Sequence, residues 1–427
     1  MLGFLNKRRS ALRLLAFALG AATGQYAGAE EGHSIALGGE LRERVDVFDA
    51  PRFGLGGAAD TYTLQRLLAH IDARFGERAR VFLELGHHDA FGKNRPLNPV
   101  DADRTDVQVA FLDVTTASDA NLTLRAGRQE LLLNATQRFI AVREGPNVRQ
   151  SYDGLRVTWH HGKAKVDLLA LRPVQLGPGS FDDRSGRRQN LWGLYAVFPT
   201  LRLGGTIDVF FLGFDRADAT WGDVHGNEQR RSVGSHFAFR RQGWDFDGDG
   251  VVQFGAFSGR SIRASALGVE AGYTFAANWR PRVSMRFDTG TGGAFATSGR
   301  LTAFNPMFPK GAYFDESANG SWVNLLAFRP AITLSPVAGL TLQGSIICRW
   351  RRVPTDPVYV HPTTPLLPTL GNRDRYVGDS YVLDATFQLS PKLKLGAELV
   401  RQRVGPALRF AGARATTFAM VTTQFRF

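Results

Sequence analysis

A single cysteine, Cys348, is all that the 427-residue chain contains. No intrachain disulfide can form and no Cys-based zinc site can hold the fold together, so stability has to come from packing, backbone pairing or a lipid environment. Long apolar runs are equally scarce. Beyond residue 29 there is no uninterrupted apolar stretch of the roughly 18 residues that a helical membrane span needs. A repeat of fixed period is missing, which argues against a solenoid or propeller. So is a linker-like break, although a soluble chain of this length usually divides into about two or three domains. Acidic residues are in the minority, 39 against 52 Lys and Arg, for a formal charge of +13. With 44% hydrophobic and 21% charged residues, 47 Gly and 19 Pro, the composition excludes collagen, coiled coil and disordered polymer.

Motifs that carry chemistry are absent as well. No G-x-S-x-G elbow occurs, and the stretch Gly86 to Lys93 fails the spacing of a phosphate loop and runs on into Asn94. Asp245-x-Asp247-x-Asp249-Gly250 opens like a calcium loop, but its twelfth position is Ala256, where a bidentate Glu belongs. The pairs His87-His88 and His160-His161 are adjacent, so on a strand each pair points to opposite faces. They read as exposed rim histidines rather than metal ligands. A membrane hydrolase would need a Ser/His pair at one rim, and nothing in the pattern places Ser151 or another serine in such a pair. The expectation is a protein without catalysis, metal or cofactor.

What is present begins with a processing segment. Lys7, Arg8, Arg9 and Arg13 precede the apolar run Leu14 to Leu19, and Ala27-Gly28-Ala29 stands before Glu30, which reads as a secretory signal over 1–29 with its cleavage site at Ala29. Removing it takes away four basic and no acidic residues, 52 − 4 = 48 against 39, and leaves 427 − 29 = 398 residues at +9. An exported basic protein suits an acidic polysaccharide or a lipid surface better than nucleic acid.

The remainder, 30–427, alternates with period two as a single domain. Trp244, Phe246, Gly248, Gly250, Val252 and Phe254 share one face while Asp245, Asp247 and Asp249 share the other, and a soluble core does not take three carboxylates. The same sorting marks strands at 35–48, 61–75, 78–88, 105–116, 121–134, 152–161, 164–174, 189–199, 202–215, 230–241, 244–257, 263–275, 281–290, 321–334, 340–352, 379–389, 393–404 and 414–427. Short connections such as Gly76-Glu77, Gly162-Lys163, Gln242-Gly243, 335–339 and 390–392 alternate with long ones near 89–104, 135–151, 175–188, 216–229, 290–320 and 353–378. An all-β, antiparallel transmembrane barrel of about 18 strands, of the bacterial outer-membrane type, has this rhythm, with short turns periplasmic and long loops outside. Closure also removes sheet edges and explains why no linker is needed. Trp159, Trp279, Trp322, Trp350, Tyr381 and Phe425 near strand ends fit interfacial girdles. The final strand ends on Phe427, the aromatic terminus that barrel-assembly machinery reads.

One block carries a family resemblance. Gly127-Arg128-Gln129-Glu130-Leu131, then Arg138, Arg143, Asn147, Arg149 and Ser151-Tyr152-Asp153-Gly154, is similar to the characteristic region of the alginate export family. Gly243-Trp244-Asp245-Phe246-Asp247 with Gln253-Phe254-Gly255, and Phe304 to Pro309 with Asn324-Leu325 and Pro330, are weaker matches to its mid-barrel strand and large loop. The resemblance implies a monomeric outer-membrane barrel, embedded in outer-membrane lipid, that secretes alginate, an anionic uronate polymer. Arginine suits such cargo, because guanidinium binds carboxylate bidentately and stays charged. Strand parity puts Arg42, Arg66, Arg74, Arg80, Arg125, Arg156, Arg282, Arg286, Arg349 and Arg351 on the wet face. The block at 128–149 adds Arg128, Arg138, Arg143 and Arg149 on the long connection after the fifth strand, a candidate for a loop folded into the lumen. Acidic residues including Glu40, Asp72, Glu84, Asp245, Glu270, Asp288, Asp384 and Glu398 share that face, so a mutually neutralised porin lining is the competing reading. The chain departs from the alginate exporter in its short Ser390-Pro391-Lys392 turn, where that protein has a long pore-closing one. A general or anion-selective porin for small solutes or oligosaccharides therefore stays open beside polysaccharide export.

Overall fold

A computed structural model describes residues 32–94, 96–116, 121–200, 204–295 and 299–427. The signal segment and its cleavage site lie outside the described residues, as do the first two residues of the strand expected at 202–215. Eighteen long strands form one closed antiparallel barrel. They are β1 (His33–Phe48), β2 (Asp60–Phe75), β3 (Ala79–Phe91), β4 (Asp103–Thr115), β5 (Leu122–Glu130), β6 (Ser151–His161), β7 (Ala164–Gln175), β8 (Gln189–Thr200), β9 (Gly205–Trp221), β10 (Val224–Arg241), β11 (Trp244–Phe257), β12 (Arg260–Thr274), β13 (Arg282–Gly290), β14 (Leu325–Leu334), β15 (Leu340–Arg351), β16 (Tyr376–Ser390), β17 (Leu393–Val404) and β18 (Thr416–Arg426). Each corresponds to one strand expected from the alternation. β18 returns to β1 from Phe418↔Phe48 to Arg426↔Glu40, which leaves no free edge.

The alternation has a direct physical outcome. Odd positions of β1 (Ile35, Leu37, Val45, Val47) are exposed outward, while Glu40, Arg42, Arg44 and Asp46 are buried inside. The same holds where Val283 and Met285 face out between Arg282, Ser284 and Arg286. A wall that is apolar outside and charged inside is stable only with hydrocarbon around it and water or polar groups within.

Three boundaries differ from expectation. The stretch 216–229, rich in Asp, Gly and Asn, is a continuation of β9 and β10 to a two-residue turn at Gly222-Asp223 rather than a long loop. Gly222 takes φ +62°, which the tight turn requires. The extension is held because Ala219 and Trp221 pack with Phe257, Ile262, Leu301 and Tyr359, and because Glu228 accepts from the Trp221 indole at 3.2 Å and ion-pairs with Arg216 and Arg230. β5 ends at Glu130, not 134, since Leu131 turns into the interior and is fully buried. β14 begins at Leu325, and Trp322, expected in an interfacial girdle, is 2% exposed inside the barrel.

Candidate functional site

Two connections on the long-loop rim fold into the barrel and meet there. Ile140 of the 131–150 connection forms a parallel bridge with Phe308 of the 291–324 connection. Ala141 N–H donates to the Phe308 carbonyl (2.8 Å) and Phe308 N–H to that of Phe139 (3.0 Å). Around this bridge the aromatic rings of Phe139 and Trp322 (5.3 Å), Phe139 and Phe304 (5.5 Å), Tyr313 and Trp322 (5.0 Å) and Tyr152 and Phe308 (5.2 Å) pack into one buried cluster. Each such pair adds about 0.5–1.5 kcal/mol beyond the area it buries. The result is a floor across the long-loop half of the lumen. A third connection, 352–375, is tied on through Asp356, which accepts the Gly293 N–H (2.8 Å), and through Asn324, which donates to the Val353 carbonyl (3.0 Å).

The block around Gly127 and Ser151 is the hinge of this arrangement. Gly127↔Gly154, Arg128↔Asp153, Gln129↔Tyr152 and Glu130↔Ser151 are cross-strand partners on β5 and β6. Both glycines have positive φ, +127° and +146°, and a Cβ would stand 2.3 Å from the Ala110 carbonyl oxygen at one and 2.2 Å from that of Ala170 at the other. No other residue fits either place. Three residues beyond Gly127, after Glu130, the chain leaves the wall and enters the lumen.

Near the floor the arginines act as clamps. Arg42 donates to the carbonyls of Glu144 and Pro146 and to the Asn147 side chain. Arg44 reaches Asp46 (2.7 Å), Glu316 (2.6 Å) and the Gly145 carbonyl (3.1 Å). Arg66 joins Glu40 (2.6 Å) to Glu144 (2.7 Å), and Arg149 lies 2.8 Å from Glu144. Arg138 ion-pairs with Asp247 and Asp249 and donates to the Tyr313 hydroxyl (2.9 Å). Arg349 holds Asp315 (2.8 Å), and Arg351 donates to the carbonyls of Asp356, Thr369, Asn372 and Asp374. Arg143 stacks over Phe308 at 5.6 Å and donates to Gln150. Burial would raise the Glu144 carboxyl, but the Arg149 and Arg66 guanidiniums outweigh it and hold that group down at about 2.

Below the floor the pattern changes to fork-on-fork pairs along the wall. Arg80 meets Asp72 through Nε and Nη2 at 2.7 and 3.1 Å, Arg125 meets Asp113 at 2.7 and 2.8 Å, Arg156 meets Asp167 at 2.8 and 2.8 Å, and Arg282 meets Asp245 at 2.8 and 2.5 Å. Arg74, at the short-turn rim, has a 57% exposed side chain and a single 3.4 Å contact to Asp72. Between wall and floor lies a cavity of about 300 Å³, lined by Arg138, Arg282, Arg286, Lys310, Asp247 and Tyr313 among others. Beside it Arg329, the register partner of Arg286, donates to Ser345 (3.0 Å), Gln343 (3.0 Å) and the Phe314 carbonyl (3.0 Å), with no carboxylate among its bonded partners.

Arg44, Arg230 and Arg329 are inner-face arginines beyond those expected, and strand alternation is the signal that finds them, since each sits two residues from another inward side chain. Lys310 carried no signal, since only the infolding of 291–324 brings it to the cavity. One expected pore residue is elsewhere: Arg128 follows Arg125 by three positions and shares the outer face with Leu124. It is paired with Asp153 at 2.9 Å. His88, read as a rim histidine, is 2% exposed on the inner face.

The alginate export family profile matches residues 33–422. The chain belongs to the alginate export family. No curated protein sequence matches it. Among solved structures the barrel is similar to Pseudomonas aeruginosa OccK2 (OpdF) in complex with glucuronate, with 9% identity, a TM-score of 0.62 and coverage of 93% of this chain and 99% of that one. It is similar also to Acinetobacter baumannii OccAB1 (12% identity, TM-score 0.62, 92% and 96% covered) and P. aeruginosa OccK5 (OpdH) (12%, 0.56, 94% and 99%). At these identities the likeness speaks for the fold. Family and fold together make this member of the alginate export family an outer-membrane β-barrel channel; in barrels of this type the short turns are periplasmic and the long connections face outside.

Proposed function

We propose that this family member conducts an anionic saccharide of the polyuronate class, with the cavity under the floor as its cation-lined contact site. The observation that carries the reading is the convergence of Lys310 with Arg138, Arg282 and Arg286 on one luminal space, the three arginines paired with wall carboxylates, and with Arg329, which bonds no carboxylate, beside it. Carboxylates of a uronate chain would exchange with the wall carboxylates for the same guanidinium forks. Many moderate contacts of this kind lower the cost of desolvating a polyanion while permitting release. A uronate monomer in the structurally similar OccK2 supports the choice of ligand class.

A specific observation favours a second reading, an anion-selective porin for small solutes. The floor packs its aromatic cluster across the lumen, and nearly every wall arginine already has a carboxylate partner. Planar-bilayer recordings of the refolded protein under a salt gradient, with and without polyuronate oligomers, separate the two. Anion-selective current that the oligomers block in a size-dependent way supports polyuronate conduction. Anion-selective current indifferent to them supports the small-solute porin, and unselective current removes both.

A further inference from the structure

The β7–β8 connection turns down onto the extracellular ends of β4–β6 and brings Asp182 and Asp183 against Asp103 and Asp106, so that one oxygen from each of the four carboxylates lies within 4.8 Å of all the others. That spacing is what ligands on opposite sides of a calcium ion reach, since Ca–O distances are about 2.3–2.6 Å. Asp103 and Asp106 are 3% and 4% exposed. Backbone N–H groups of Asp182 and Asp183 donate to Asp106 (2.8 and 3.1 Å), Gly179 N–H to Asp182 (2.9 Å) and Gly177 N–H to Asp183 (2.8 Å). These bonds leave Oδ1 of Asp103 and Oδ1 of Asp182 buried with no donor at all. An acceptor so placed loses its hydration and gains nothing for it, unless a cation stands between the oxygens.

The contrast with the molecule's other acidic cluster is instructive. Inside the barrel, His236, Asp247 and Asp249 also come within ligand distance of one another, but there the Arg138 guanidinium already sits on both carboxylates. At the rim Arg128 is the guanidinium that contacts the cluster among the described residues, its Nη1 3.9 Å from Asp106 and 3.8 Å from Asp183. Its fork is closed on Asp153 at 2.9 and 3.3 Å.

We propose that Asp103, Asp106, Asp182 and Asp183 form a calcium site on the extracellular rim that fastens the β7–β8 connection to the barrel wall. Calcium suits the set better than magnesium, because four carboxylates from two separate segments supply a crowded, adaptable oxygen shell rather than an octahedron of retained waters. The site uses none of the residues of the luminal cavity and stands or falls independently of the cargo.

Calorimetric titration of the chelator-stripped, refolded barrel with CaCl2 should give one site per chain, with a Kd of about 0.1–1 mM as in extracellular modules. D103N/D183N should weaken binding at least ten-fold. Because that variant can fail to fold for other reasons, a second readout on the unaltered chain is tryptic cleavage at Arg184, Arg187 and Arg188, which are exposed on the same connection. Chelation should speed cleavage there several-fold and added calcium should restore the protection, with other sites unaffected. Absence of saturable binding, or equal cleavage with and without calcium, overturns the proposal and leaves shared protons as the way this cluster is neutralised.

Discussion

The interior of this barrel has two halves that use the same residue type for different ends. In the extracellular half Arg42, Arg349 and Arg351 are buried and bonded to the carbonyls and carboxylates of infolded connections, and Arg138, carried on one of those connections, is buried against Asp247 and Asp249 of β11. In the periplasmic half Arg80, Arg125, Arg156 and Arg282 close their forks on aspartates of the neighbouring wall and keep one side toward the lumen. All eight follow from inward parity or from one basic block, and nothing in their immediate sequence tells clamp from wall pair. What differs is whether a loop arrives to cover them. Desolvation then decides the energetics: a half-exposed pair contributes little, whereas a buried one becomes costly as soon as one partner is removed.

The largest expected effect tests the clamp side. Arg138→Ala strands Asp249, whose side chain is fully buried, together with Asp247, and breaking such a pair costs about 3–5 kcal/mol. The floor should loosen, so that single-channel conductance rises and the heat-modifiable mobility of the refolded barrel shifts at lower temperature. If both stay as in the parent protein, the clamp reading is wrong. Next comes the cavity: Arg329→Ala, which breaks no bond to a carboxylate, removes about 1 kcal/mol of attraction for an anion roughly 15 Å away at an effective dielectric of 20. Reversal potentials should then show about a five-fold fall in the anion-to-cation permeability ratio, with stability unchanged. A variant that melts early without losing selectivity would move Arg329 to the clamp group.

A milder lever is pH. The Glu144 carboxyl is held at about 2, below its ordinary 4.5, so its ion pairs with Arg66 and Arg149 contribute fully above pH 4.5 and are lost as pH falls through 2. Conductance measured while acidifying the extracellular side should climb across that window, and Glu144→Gln should abolish the climb. The smallest effect is expected at Arg74→Ala. With its side chain more than half exposed, its removal should change thermal stability by less than about 0.5 kcal/mol in a melting experiment.

The alternation of β1, β11 and β13 was legible because a strand between lipid and a charged lumen needs a strict period of two, and each of the eighteen strands follows from it. The extension of β9 and β10 was hidden because Asp218, Gly222, Asp223, Gly226 and Asn227 read as loop, while the force that keeps them in the sheet is the packing of Trp221 against residues far away in sequence. Arg128 misled for a related reason. It belongs to a basic block whose other members enter the lumen, yet it lies on the last regular turn of β5, where parity still rules. The cavity itself could be read only in part, since Arg282 and Arg286 announce their face but Lys310 and Tyr313 reach it on a connection whose path local pattern does not specify. The rim aspartates gave no signal either, as 103–106 and 182–183 meet only when the β7–β8 connection folds back.

The single parallel bridge between Ile140 and Phe308 joins chain segments 308 − 140 = 168 positions apart. Loop-closure entropy opposes so distant a contact until the strands between them have paired. Biogenesis is thereby ordered. The sheet is then expected to close around water first and the floor to condense afterwards, which would leave a newly inserted barrel open across the outer membrane until it does.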